Sequence, residues 1–188
     1  MTNKLISNYY GTDADTKKWM DQADGYTREI SRLRAEGKST IGAGDRLEIM
    51  DAICHWDNAY DALDRQAFLD IMTDDVYCFG NAWGEVKGKA AMGEWFDGFT
   101  KTFSGKRHTI SNFTVLGNDQ QATALSYLAV VERVESTNVI ATALYFDKFV
   151  KQDSKWLIKE RYQILDPGMF TTADGRKLYA EYMKNSQG

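Results

Sequence analysis

The feature that most constrains this chain is a change of hydrophobic period near residue 106. Upstream, apolar residues recur every three or four positions, which is the spacing of one face of an α-helix. Downstream, the segments 106–116, 120–134, 137–151 and 155–165 are rich in Val, Ile, Thr, Tyr and Phe, with the turn sequences GND, ES and QDS between them. Four long strands joined by short turns make a meander. Helices first and a meander afterwards predict an α+β fold, with helices packed on one face of an antiparallel sheet.

The helical part divides further. Residues 13–36 read as a first helix, capped by Asp13 or Asp15 and stopped at Gly37. Its apolar stripe is narrow: Trp19, Ala23, Tyr26, Ile30 and Leu33. The small-residue stretch GKSTIGAG, 37–44, reads as a hinge. Asp45 is a cap candidate for a second helix, 45–62, with Leu47, Met50, Ile53, Cys54 and Trp56 inward. A further helical turn at 65–72, a strand VYCFG, a short extended piece between Gly84 and Gly88 and an aromatic helix at 89–103 complete this half. Asp166-Pro167-Gly168 ends the last strand, and residues 172–185 have the spacing of a tail helix through Leu178 and Tyr182. The chain is thus organised as an extension with a hinge, 1–44, an α+β body, 45–166, and a tail, 167–188.

Composition narrows the function classes. A net charge of −4 with scattered Lys and Arg argues against a nucleic-acid surface or an anionic membrane as partner. No apolar run approaches the roughly 20 residues that span a bilayer, and the N-terminus lacks a signal-peptide core, so a cytoplasmic protein is expected. Cys54 and Cys78 have neither metal-ligand nor redox spacing and read as buried small hydrophobes. The aromatic content, 5 Trp, 10 Tyr and 9 Phe, fills a core or lines an apolar ligand pocket.

Candidates for chemistry are few. Of the two histidines, His55 lies beside the apolar stripe of the second helix and has the ordinary reading of a packed or surface residue. His108 opens the strand HTISNFTV, where alternation puts His108, Ile110 and Asn112 on one face. In the segment DNAYDALD, Asp57, Asp61 and Asp64 recur at helical spacing, normally a solvated flank. Asp64 falls where the helical pattern breaks, beside Leu63 and Phe68, where a sheltered carboxylate can orient a histidine base. No phosphate-cradling Gly loop, nucleophile elbow or ligand-like His/Cys/carboxylate grouping is present, so no metal and no cofactor are expected.

The order helix, YDALD, helix, strand, G-x-x-x-G, aromatic helix, KRHTISNF and meander resembles the SnoaL-like branch of the nuclear transport factor 2-like superfamily, over about residues 45–165. The segment DKFVKQDSKW, 147–156, is similar to a hairpin of the same branch. The resemblance implies a cone-shaped cavity of the cystatin-like kind, built by a curved antiparallel sheet wrapped by helices, here with an extra N-terminal helix. It places Tyr60 and Asp61 at the Tyr–Asp pair of scytalone dehydratases, and His108 at their catalytic histidine. It places Asp64 at the catalytic aspartate of hexachlorocyclohexane dehydrochlorinases and bile-acid 7α-dehydratases. Tyr145 then stands where a substrate-binding asparagine stands in scytalone dehydratases, and Ser126 near a second histidine, so scytalone is not the expected substrate.

The function implied is a cofactor-independent lyase with an Asp–His dyad. It would act on a hydrophobic aromatic small molecule by elimination, dehydration or formaldehyde-releasing C–C cleavage. Trp83, Trp95, Phe99, Tyr127 and Tyr145 are its candidate walls, with Ser126 beside them. The alternatives are a non-catalytic ligand-binding or oligomerisation module, an isomerase or cyclase, and a small subunit of a larger oxygenase. A homo-oligomer, trimer or dimer, is expected, with residues 13–36 packing on a neighbour or closing the cone mouth.

Overall fold

The computed structural model describes residues 13–134 and 136–167, together with residues 177 and 180. The expected tail helix lies almost wholly outside the described residues. Among the described residues, helices α1 (Asp13–Ala35), α2 (Ala43–Asp61), α3 (Arg65–Asp70) and α4 (Lys89–Phe103) accompany six strands. These are β1 (Met72–Gly80), β2 (Gly84–Lys87), β3 (Lys106–Gly117), β4 (Gln121–Glu132), β5 (Val139–Gln152) and β6 (Lys155–Leu165). No described helix is long and apolar enough to cross a membrane.

The strands form one curved, unclosed sheet in the order β2-β1-β6-β5-β4-β3. The expected meander is its larger part. Asp153 and Ser154 both have positive φ, which is the backbone of a two-residue hairpin turn between β5 and β6. The sheet is not wholly antiparallel, because β1 pairs with β6 in parallel. Parallel neighbours need a long crossover, and here the α4 and β3–β5 stretch supplies it.

Helices cover both faces rather than one. α2, α3 and α4 fill the concave side, where Ile49, Ile53, Trp56, Phe68, Met72, Met92 and Phe96 meet Ala124, Leu128, Ala143 and Ile158 in one buried cluster. α1 packs on the convex side of its own sheet, with Ile30 and Tyr26 against Leu116, Leu125, Leu144 and Phe146. The Tyr26 ring stacks on Phe146 at 4.5 Å. The narrow stripe of α1 therefore meets the back of the cone and not its mouth. Gly37 ends the helix at φ 66°, a conformation that costs glycine little.

Two local expectations are corrected. The 37–44 stretch is pinned rather than hinged: Thr40 and Ile41 N–H both donate to the Gly117 carbonyl, Ser39 Oγ bonds the same residue, and Ile41 is buried. The N-cap of α2 is Gly42, not Asp45. Asp45 instead accepts from Lys151 Nζ at 2.6 Å and Trp156 Nε1 at 2.8 Å, tying the helix to the β5–β6 hairpin. Leu47 points outward, and Ile49, Ala52, Ala59 and Tyr60 make the inner face with Ile53 and Trp56.

Candidate active site

α2 runs across the concave face against β3, and its last turn brings Tyr60 and Asp61 to His108. His108 Nδ1 lies 2.6 Å from Asp61 Oδ1. The His108 backbone N–H donates to the other oxygen, Oδ2, at 3.1 Å. An ionised carboxylate can only accept, so in the neutral imidazole this short contact favours the proton on Nδ1 and the lone pair on Nε2. The His108 side chain is 7% exposed and that of Asp61 12%, so the pair is largely sheltered from water. Arg107 Nε, at 3.5 Å from Asp61 Oδ2, adds a positive charge on the solvent side.

The carboxylate that meets His108 is thus Asp61 and not Asp64. Asp64 is exposed and caps α3, accepting from the Ala67 N–H at 3.0 Å. The helix stays regular through Asp61 and its C-cap is Ala62, with Leu63 at φ 59° turning outward. That turn carries Asp64 away from the sheet. His55 is exposed, as its position beside the stripe suggested.

The wall residues divide. Tyr60 packs edge-on to His108, with ring centroids 5.0 Å apart. Phe99 and Trp95 stack on each other at 4.5 Å, and both pack on Tyr60. Trp83 reaches the group from the β1–β2 turn, 5.1 Å from Trp95. Its ring lies so close over Gly80 that a Cβ there would come within 2.2 Å of it. Trp83, Trp95 and Phe99 are half-buried, whereas Tyr60 is buried. These rings fill the space beside His108. A recess of about 510 Å³ lies elsewhere, behind the sheet, with Leu33, Ser39, Leu116, Phe149 and Glu160 in its lining.

Tyr127 is not part of this wall. It packs on the convex cluster under α1, because strand neighbours alternate and Ser126 takes the concave side. Alternation also fails at Asn112. It sits at φ 54° in a bulge where the β3–β4 register shifts between Ser111 and Thr114, and it is exposed instead of following His108 and Ile110 inward.

Deeper on the concave face lies a buried polar row. Ser126 stands opposite Tyr145 across β4 and β5. The Tyr145 hydroxyl donates to Asp57 Oδ1 at 3.2 Å. Asp147 and Arg161 form a fork-like pair, Nε to Oδ1 at 2.7 Å and Nη2 to Oδ2 at 2.8 Å, with both side chains 0% exposed. The guanidinium also lies 4.3 Å from the ring centres of both Trp56 and Tyr145. Burial works against the Arg161 charge, and the Asp147 carboxylate outweighs it, so the guanidinium stays charged. Burial pushes the Asp57 carboxyl up to about 6, opposed by His108 when its ring is protonated, by the Arg161 charge and by the Tyr145 hydrogen bond. Burial also raises the Tyr145 hydroxyl well above its usual value. The Cys78 thiol is likewise pushed up to about 12 by burial, consistent with a small hydrophobe.

Asp57, Asp147 and Arg161 were not among the candidates read from sequence. For Asp57 the signal was its spacing: it precedes Tyr60 by three residues and Asp61 by four, on the inward stripe. For the ion pair it was a charged residue at an inward strand position in each arm of the DKFVKQDSKW hairpin region.

An open, curled sheet with an inner helical layer is the cystatin-like, or nuclear transport factor 2-like, fold. Within it the chain belongs to the SnoaL-like domain family, whose model matches residues 43–162. A cystatin-like structure of unknown function from Nostoc punctiforme is 35% identical, with a TM-score of 0.65 over 68% of this chain and 95% of that one. A nuclear transport factor 2-like protein from Novosphingobium aromaticivorans is 23% identical, with a TM-score of 0.60 over 81% and 95% of the two chains. A hexachlorocyclohexane dehydrochlorinase is 13% identical, with a TM-score of 0.58 over 65% and 86%. No curated protein sequence matches the chain.

Proposed function

We propose that the chain is a cofactor-independent lyase acting on a hydrophobic aromatic small molecule, with His108 as general base and Asp61 as the group that orients it. The observation that carries this reading is the 2.6 Å contact between His108 Nδ1 and Asp61 Oδ1, set among aromatic rings. Asp61 holds the Nδ1–H tautomer, and Nε2 takes a proton from a carbon or a hydroxyl of the substrate. When the proton comes from a carbon, its bond pair forms a C=C as halide, or a hydroxyl protonated by Tyr60 to water, leaves the neighbouring carbon. When it comes from a hydroxymethyl group, the O–H pair becomes the C=O of formaldehyde, and the broken C–C pair forms the C=C by expelling the same kind of leaving group from the next carbon. Tyr60, packed against the imidazole, is the donor for the oxygen that gains negative charge. The dehydrochlorinase of the same fold has a name that describes an elimination, which fits this chemistry.

The substrate reaches Nε2 by displacing the half-buried rings of Trp95 and Phe99, and Trp83 closes the outer side. Excluding water there strengthens the dyad and keeps the base from bulk protons. The test is turnover of a panel of aromatic diols, hydroxy ketones and halides by wild type and His108→Ala. Loss of a positioned base is expected to lower the rate by about 100- to 10,000-fold with the fold intact. Equal turnover by the two proteins, or none by wild type while ligands still bind, would make the chain a ligand-binding module instead.

A further inference from the structure

Three buried polar atoms on the concave face have no hydrogen-bond partner among the described residues and belong to one row of side chains: Asp57 Oδ2, Arg161 Nη1 and Ser126 Oγ. Each belongs to a residue at most 3% exposed. The remaining polar atoms of the row are engaged. Asp57 Oδ1 takes the Tyr145 hydroxyl, and Arg161 Nε and Nη2 take Asp147. Leaving one such group unmade in a protein interior is costly, and leaving three on residues that all neighbour Tyr145 calls for an occupant.

Their chemistry specifies the occupant. The unmet set is one carboxylate acceptor, one guanidinium donor and one hydroxyl, which can do either. A carboxylate or phosphate ligand would meet the Asp57 carboxylate, and an ammonium would meet Arg161. A neutral hydroxyl fits every member: its hydrogen goes to Asp57 Oδ2 while its oxygen accepts from Arg161 Nη1 and Ser126 Oγ. The aromatic faces of Tyr145 and Trp56, which cover the guanidinium, supply the flat apolar surroundings of a phenol or benzylic alcohol.

We propose that Asp57, Ser126 and Arg161, with Tyr145 holding Asp57 in place, form a hydroxyl-binding subsite at the floor of the cone, for the phenolic or alcoholic oxygen of an aromatic ligand. This deepens the lyase reading, on which it rests for the direction of the ligand: the hydroxyl anchors one end on the floor while the reacting carbon faces His108. The charged and titratable groups that act on Asp57 are Cys54 and Asp61 on its own helix, His108 from β3, Tyr145 from β5 and Arg161 from β6.

The experiment compares two probes of nearly equal shape, 4-methylphenol and toluene, by calorimetric titration at pH 7.5. The proteins are wild type, Ser126→Ala, Asp57→Leu and His55→Ala. An apolar hollow alone favours toluene, because the phenol loses its hydration. The subsite predicts the opposite order in wild type, with 4-methylphenol binding roughly tenfold the tighter. Ser126→Ala is expected to reduce that preference several-fold, and Asp57→Leu to abolish it, while substitution of the exposed His55 by Ala leaves it unchanged. Equal or reversed affinities in wild type, or an undiminished preference in Ser126→Ala, would overturn the subsite and leave bound water as the occupant of the row. The readout is binding alone, so absence of turnover in the substrate panel sinks the lyase reading without touching this one.

Discussion

Substituting Asp61 by Asn separates the proposed dyad from a merely structural contact. The carboxylate accepts twice from His108, at Nδ1 and at the backbone N–H, 2.6 and 3.1 Å away. An amide of the same shape has one acceptor. If its oxygen stays on the backbone N–H, its NH₂ faces Nδ1, which must then give up its proton. The proton moves to Nε2, and the lone pair that served as base is gone. A comparable Asp-to-Asn change in a Ser-His-Asp triad lowers kcat about 10⁴-fold through the wrong tautomer. Without a covalent nucleophile to activate, a loss of about 10³- to 10⁴-fold is expected here, or about 4 to 5.5 kcal/mol of transition-state stabilisation. The assay is kcat on whichever panel substrate wild type turns over, together with the nitrogen-15 shifts of the imidazole, which report the tautomer without a substrate. Asp64→Asn is the control. Asn caps a helix about as well as Asp, so both activity and stability should hold, whereas Asp64→Ala should cost about 1 kcal/mol of stability alone. If Asp61→Asn keeps more than about a tenth of kcat, or its imidazole shows an unchanged tautomer, the orientation argument fails.

Arg161→Met leaves the Asp147 carboxylate buried without its partner, and should destabilise by about 3 to 5 kcal/mol, seen as a fall in Tm of roughly 10 °C. Adding Asp147→Leu to it should recover most of that loss. For Asp57 the folded carboxyl titrates at about 6, above the roughly 4 of an unfolded chain, so the native state binds that proton more tightly. Its contribution to stability is complete below pH 4 and is lost as the pH rises through 6. The advantage of Asp57→Asn over wild type in denaturant melts should therefore grow from nil near pH 4 to about 3 kcal/mol above pH 7, and a flat difference would contradict it. Deleting residues 1–37 uncovers Leu125, Leu144 and Phe146 on the convex face, and light scattering should show self-association of the shortened chain. An unchanged mass would mean that α1 is dispensable as a cover.

Most of the secondary structure was legible because it depends on local period. The four meander strands begin and end within two residues of where alternation placed them, and α1 within one. What was not legible depends on phase and on distant contacts. The parallel pairing of β1 with β6 joins residues some eighty positions apart, and no local pattern records it. The end of the second helix, expected at 62 and found at Asp61, did not decide between Asp61 and Asp64. The turn after it did: Leu63 at φ 59° carries Asp64 outward, and no apolar spacing records that. Asp57 was misread as solvated because a charged residue at an inward position looks like a gap in the stripe until Tyr145 and Arg161 are seen beside it. One error was visible beforehand. Ser126 and Tyr127 are consecutive strand residues, so only one of them can face a ligand on the concave side.

The backbone bond from His108 to Asp61 has a consequence for solubility. β3 borders the open sheet, and a border strand offers its main-chain donors to any passing extended segment. Asp61 occupies one of those donors and brings a negative charge to the rim, while the kink at Asn112 breaks the straight run beyond it. The side chain proposed to orient the base would at the same time keep foreign strands from docking at this rim.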